Sequence, residues 1–316
     1  MSDNNPNWER NLLEKLAAAS LEEQRRARQW KIFFRLAWLL VMGVIASAIF
    51  KSTFIEKEDG KLSVGGSGHT AVIQLSGVID SEDDSANKLI AGLRDAAENR
   101  NTRGIVIKAN SPGGSPVLSG MVYDEIRRQK KLRPALPIVV VVEEVCASGC
   151  YYIAAAADKI YVDKASIVGS IGVLSDGFGF TGLMDKFGVE RRLRTAGENK
   201  AMGDPFSPVN PKHEAIRQQL LDDIHQQFIK AVRDGRGARL KATPEMFSGL
   251  VWLGEKSLPL GLADGYGTVD SVARDVIHAE KTVDLTPQDD LGSRFARRLG
   301  VEFKGGVRNL LDTRFF

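Results

Sequence analysis

Ser148 stands where an apolar, β-branched run at residues 137–142 gives way to a helix-like apolar stretch that ends near Ala157. A hydroxyl at a strand-to-helix junction points outward, and free N–H groups of the first helical turn can receive negative charge from a reacting carbonyl. That is the geometry of a nucleophile. A serine hydroxyl also needs a base within hydrogen-bond reach, most often histidine. The chain has only His69, His213, His225 and His278, and none has a setting that suits a triad. Lysine is the alternative, and with an ordinary pKa near 10.4 it becomes a base only if desolvation supplies roughly 4 kcal/mol. Lys200 fits best, because it lies among Gly197, Ala201, Gly203 and Pro205 with no helical period, whereas Lys130, Lys131, Lys159 and Lys164 flank polar or charged neighbours.

A third element reads from residues 104–109, a strand that empties into Asn110, Ser111, Pro112, Gly113 and Gly114 before a helix over 117–130. Paired glycines at such a junction let backbone N–H groups approach a ligand closely. Gly113 and Gly114 are therefore candidate oxyanion-hole donors, with the Gly149 N–H as a second donor. Ser170 positions substrate or the lysine, or else bonds to its own loop. Each residue also has an ordinary reading: Ser148 as a helix cap, Lys200 as a solvated loop lysine, and the glycines as a turn.

Five blocks occur in one order: residues 110–114, 147–149, 167–173, 197–206 and 261–265. Together they resemble the bacterial signal peptide peptidase A family in its short, single-domain form, over about residues 70–280. The resemblance implies a membrane-anchored serine-lysine protease of the Clp protease/crotonase-like α/β fold, built from repeated ββα units. It implies Ser148 as nucleophile, Lys200 as general base, and Gly113 or Gly114 in the oxyanion hole. It further implies a homo-octamer, a ring of about eight protomers in which the serine of one subunit faces the lysine of its neighbour. Cleaved signal peptides and other membrane-proximal peptides are the substrates it implies. Acyl transfer of this kind needs no metal and no cofactor. Residues 248–257 depart from the family's common pattern. Two other classes share parts of these features: a crotonase-fold enzyme acting on acyl thioesters, and a catalytically silent membrane scaffold.

The elements that must hold these residues are legible in outline. Residues 32–50 are nearly all apolar and would span about 28 Å as a helix, close to a bilayer's hydrocarbon thickness. Arg25, Arg26, Arg28 and Lys31 precede this segment, so the positive-inside rule puts residues 1–31 in the cytoplasm and the remainder outside it. The expected location is the bacterial inner membrane, single-pass, with a periplasmic or otherwise extracytoplasmic protease domain. Ala46, Ser47 and Ala48 resemble a signal-cleavage site, but the long leader, with Trp8, Leu12, Leu13 and Leu16 on one helical face, favours an uncleaved anchor. A linker over 51–70, a catalytic domain over 71–280 and a polar tail over 281–316 complete the layout. Within the domain, strands alternate with helices, including one from about Ser85 and one over 211–234 whose Ile216, Leu220, Ile224 and Phe228 form a face for the core.

Composition narrows the choice further. At 316 residues the chain can bury a full core, and a net charge of +3 with scattered basic residues argues against nucleic-acid binding. Cys146 and Cys150 are too few for a metal site, and their spacing across a helix start is poorly matched to a disulfide, so both read as small buried fillers, the alternative being that they oxidise outside the cytoplasm.

Overall fold

Period-two alternation along three strands builds the core. In the computed structural model the described residues are 25, 26, 28–43 and 68–288. They fall in two units, within Met1–Gly66 and Ser67–Phe316. In the second unit the order is β1 (His69–Ile79), α1 (Ser85–Glu98), β2 (Thr102–Gly114), α2 (Pro116–Leu132), β3 (Ile138–Ala147), α3 (Gly149–Ala155), β4 (Lys159–Val162) and β5 (Ile167–Gly169). There follow α4 (Thr181–Phe187), α5 (Pro211–Arg236), β6 (Val251–Leu253), α6 (Gly254–Ser257), β7 (Gly265–Tyr266), α7 (Val269–Asp275) and β8 (Thr282–Asp284). The fold is mixed α/β.

The sheet order is β6-β5-β3-β2-β1-β8, with β4 pairing β3 and β7. Every pairing is parallel except β5 with β6. Ile73, Leu75, Ile105, Ile107, Ile138 and Val140 face the main core under α1, α2, α3 and the end of α5. Val72, Val106, Val139 and Val141 face the other side, where Val272 and Ile277 cover them. Being covered on both faces is why β3 reads as an unbroken apolar run.

Strand β3 changes partner along its length. Val139–Val141 pairs with β4, while Val145–Ala147 pairs with β5. The sheet forks there, and Ser148 sits just past the fork. The strand therefore runs five residues beyond the expected end at Val142: the register shifts across the exposed Glu143 and Glu144, and pairing resumes at Val145 with β5 and at Cys146 with β2. Likewise β2 does not stop at Ala109. It continues through the glycine pair, with Val78 opposite Gly113 and Ile79 opposite Gly114.

Two other expectations change. The apolar face of α5 is not all core: Phe228 and Val232 are buried, but Leu220 is 52% exposed. Residues 282–284, read as the start of a tail, form β8 against β1. The N-terminal unit is helical over 28–43, with Phe33, Leu36 and Leu40 exposed. Among the described residues no helix is long and apolar enough to cross a membrane. Residues 44–50 of the expected anchor, the Ala46–Ala48 site, the leader face at Trp8 to Leu16, linker residues 51–67 and tail residues 289–316 lie outside the described residues.

Helix α2, which follows the glycine pair, is tied to α1 through the buried Glu125. Its carboxylate accepts from Arg94 Nε at 3.0 Å, Arg128 Nη2 at 2.7 Å and Gln129 Nε2 at 2.8 Å. The Arg128 hydrogen bonds lead in lowering its pKa from 4.5 to about 2, against a desolvation that raises it. A carboxylate depressed in this way stabilises the fold fully above its unfolded pKa, and that contribution is lost as pH falls from about 4.5 towards 2. Both arginines are half exposed, so the expected contribution is on the order of 2 kcal/mol. Urea unfolding at pH 7 and pH 3 checks it: Glu125→Gln should be less stable than wild type at pH 7, with the gap narrowing at pH 3.

Candidate active site

Ser148 adopts φ 50°, ψ −122°, a region that non-glycine residues rarely occupy and that costs about 1–3 kcal/mol. Its N–H donates to Gly169 O at 2.8 Å, and its own carbonyl accepts from Tyr152 N at 2.9 Å. The backbone is thus held from β5 on one side and from α3 on the other. Its side chain makes no capping hydrogen bond to the helix that it precedes, so the cap reading does not explain it.

The glycine pair closes on this elbow. A Cβ on Gly113, where φ is +103°, would lie 2.7 Å from Gly149 N and 2.8 Å from Ser148 Cβ, so only glycine fits. The Gly113 N–H donates to Ser111 Oγ at 3.1 Å and is therefore already engaged. Gly114 differs. Ser115 N donates to Ile79 O at 2.8 Å, and because N–H groups alternate in direction along a strand, the preceding Gly114 N–H turns towards α3. The Gly114 nitrogen lies 3.1 Å from where a Gly149 Cβ would stand. Of the three candidate donors, Gly114 and Gly149 are placed together beside Ser148, and Gly113 supplies the close approach.

A cavity of about 570 Å³ opens at this point, and Ser148, Gly113, Gly114, Gly149 and Ser170 all line it. Ser170 also has positive φ, 50°, and its N–H donates to Leu250 O at 2.8 Å. The remaining wall includes Val78, Tyr152, Ile224 and Phe228. Val78 and Tyr152 were not singled out in the sequence, and Ile224 and Phe228 on α5 were read there as a face for the core, not as a wall of the site. No lysine, histidine or carboxylate of the described residues lines the cavity. His69 is buried in β1, where burial first and Lys281 second lower its pKa. His225 contacts Ile171 O at 3.0 Å through Nε2 without lining the cavity.

Lys200 is not brought to Ser148 within one chain. It lies exposed on an arm, residues 174–210, in a turn where its N–H donates to Gly197 O. The arm is fastened to itself: Phe180 stacks on Phe206 at 5.3 Å, and Arg191 lies over the same ring. Phe178, Phe187 and Val209 are nevertheless each at least 76% exposed, as is Leu174, which also borders the cavity.

The block at 261–265 is structural. Arg236, 1% exposed, donates to Gly261 O and pairs with Asp264 at 2.8 Å, and Asp264 also accepts from Ile160 N. Tyr151 on α3 donates to Leu262 O at 2.7 Å. The motif thereby fixes the helix that carries the site.

The cysteines correct the sequence reading. Cys146 and Cys150 form a disulfide with Cα atoms 5.1 Å apart. The expectation treated them as a helical pair, but Cys146 belongs to β3 and the chain reverses at Ser148, which brings the two Cα atoms within bonding range. Among the described residues no cluster could hold a metal ion.

A family model described as Peptidase family S49 matches residues 130–284, the stretch that contains Ser148, Ser170 and Lys200. That stretch, just under half of the chain, is an S49 peptidase domain. The family resemblance extends to proteins with varied names. A Methanocaldococcus jannaschii protein named "Putative protease" is 32% identical over 201 residues, 64% of each chain. An Enterococcus faecium protein named "Putative signal peptide peptidase SppA" is 28% identical over 72% of this chain and 64% of its own. A Brucella abortus protein named as an Na(+)/H(+) antiporter is 44% identical over 187 residues, 58% of this chain but 25% of its own length. The chain therefore spans between a quarter and just under two thirds of these relatives.

Proposed function

We propose that this chain is a membrane-anchored serine endopeptidase, with Ser148 as nucleophile and Lys200 of a neighbouring copy as general base, on a Clp protease/crotonase-like scaffold. The observation that carries the reading is an apolar cavity with a strained serine beside two glycine N–H groups and no base among the described residues that line it. Lys200 takes the Ser148 proton as Oγ attacks the scissile carbonyl. The N–H groups of Gly114 and Gly149 receive the oxyanion. The proton passes to the leaving amine, and water then hydrolyses the acyl-enzyme in the reverse sense.

The remaining features support the finer reading. Outward apolar side chains on the arm call for a covering copy, and a repeated contact of that kind closes into a ring, which the family resemblance puts at about eight protomers. The exposed apolar residues of helix 28–43 suit a lipid surrounding, with the basic residues before it on the cytoplasmic side. A disulfide belongs to an oxidising compartment, which favours a periplasmic or other extracytoplasmic domain. An apolar cavity suits the hydrophobic cores of leftover signal peptides. Detergent-solubilised protein should cleave a signal-peptide-like apolar substrate and should lose that activity to a fluorophosphonate. Cleavage that persists after complete labelling, or none in the assembled protein, refutes the reading.

A further inference from the structure

We propose that the Cys146–Cys150 disulfide is a positioning device for catalysis, holding Ser148 Oγ and the Gly149 N–H in their reactive places. The proposal rests on the reading of Ser148 as the nucleophile.

The chain has two cysteines, and both are used in this bond, each two residues from Ser148 and each fully buried. Cys146 is fixed by the sheet on both sides, opposite Ser111 of β2 and Val168 of β5. Cys150 lies in the first turn of α3. The bond therefore ties the start of the helix to the centre of the sheet and encloses Ala147, Ser148 and Gly149. A loop this short restricts the unfolded chain little, so the bond is a weak global staple. Its effect is local. Ser148 holds a backbone conformation that L-residues avoid, next to a glycine that can leave it easily. Gly113 closes the elbow from one side, and the disulfide grips it from the other. Both the attacking atom and one oxyanion donor lie inside the enclosed segment, whereas the apolar walls Tyr152, Ile224 and Phe228 lie outside it. Loss of the bond should therefore impair acylation and leave peptide binding nearly intact.

The bond forms by exchange with a disulfide donor, as the two cysteine thiols give up two protons and two electrons and the donor becomes a dithiol. Dithiothreitol reverses this, closing to its cyclic disulfide and leaving Cys146 and Cys150 as thiols.

The test uses the full-length solubilised protein. Thiol titration after denaturation should find none before reduction and two after it. Reduced wild type should show kcat and the rate of fluorophosphonate acylation lowered by about tenfold, with KM within about twofold, and reoxidation should restore both. The Cys146→Ala/Cys150→Ala variant should show the same fall and ignore dithiothreitol. If that variant does not fold, reversible reduction of wild type carries the test, since recovery on reoxidation separates positioning from damage. Free thiols in the native protein, or a folded variant that acylates at the wild-type rate, overturn the proposal. Absence of any Ser148-dependent labelling with the bond intact overturns the nucleophile reading instead, and this proposal with it.

Discussion

Ser148→Ala removes peptide hydrolysis and fluorophosphonate labelling together, with kcat lower by on the order of 10⁴-fold or more. The size of the effect follows from the cavity's chemistry: no other hydroxyl that lines it is held at the junction of β3 and α3 against the glycine N–H groups. Removing Oγ leaves the protein well folded, because this side chain makes no capping bond and alanine can take the same site. Active-site labelling beside a thermal melt measures both halves of the expectation. Retention of more than a small fraction of either activity would move the nucleophile elsewhere, with Ser170, on the same cavity wall, as the next residue to replace.

Lys200→Ala should be as severe, since nucleophile and base act as a unit. Lys200→Arg should not rescue it, because a guanidinium stays protonated near neutral pH. His69→Ala should remain close to wild type, because His69 lies in β1 and does not line the cavity. The sharper measurement is complementation. Within one chain Lys200 lies exposed on the arm and does not line the Ser148 cavity. Mixed assemblies of Ser148→Ala and Lys200→Ala protomers should therefore regain activity at interfaces that pair an intact serine with an intact lysine. Co-purified mixed assemblies with no returned activity would place the dyad in a single chain.

The parts of the fold written in local pattern were legible in the sequence. Leu89, Ile90, Leu93 and Ala96 announce α1 by their spacing, and the β-branched run at 138–142 announces β3. Strand ends were not, because pairing resumed past the apolar residues: beyond Glu143 and Glu144, Val145–Ala147 pairs with β5 and Cys146 with Ser111 of β2, partners that no window of sequence displays. The disulfide was hidden for a related reason. Spacing in number counts residues along the chain, whereas the reversal at Ser148 sets the distance in space. Ser148, Gly114 and Gly149 could be picked from their junctions, yet only the ladder direction at Ile79 and Ser115 separates Gly114 from Gly113. Lys200 could be picked from its Gly- and Pro-rich loop, but its exposed place on the arm, outside the lining of the Ser148 cavity, rests on packing that no local pattern displays.

The fork in the sheet divides the molecule into what must be kept and what can be tailored. Upstream of it, β1 to β4 and their helices form one stiff block whose replacement would disturb every ladder at once. Downstream, β5, β6 and the loop through Ser170 and Gly249 form a rim that hangs from three residues of β3. Variation in that rim beyond Gly169, whose carbonyl accepts from Ser148 N, reshapes the mouth of the cavity while Ser148 keeps its anchors. A graft of residues 170–178 and 248–253 from another member would thus carry taste without carrying the cutting edge.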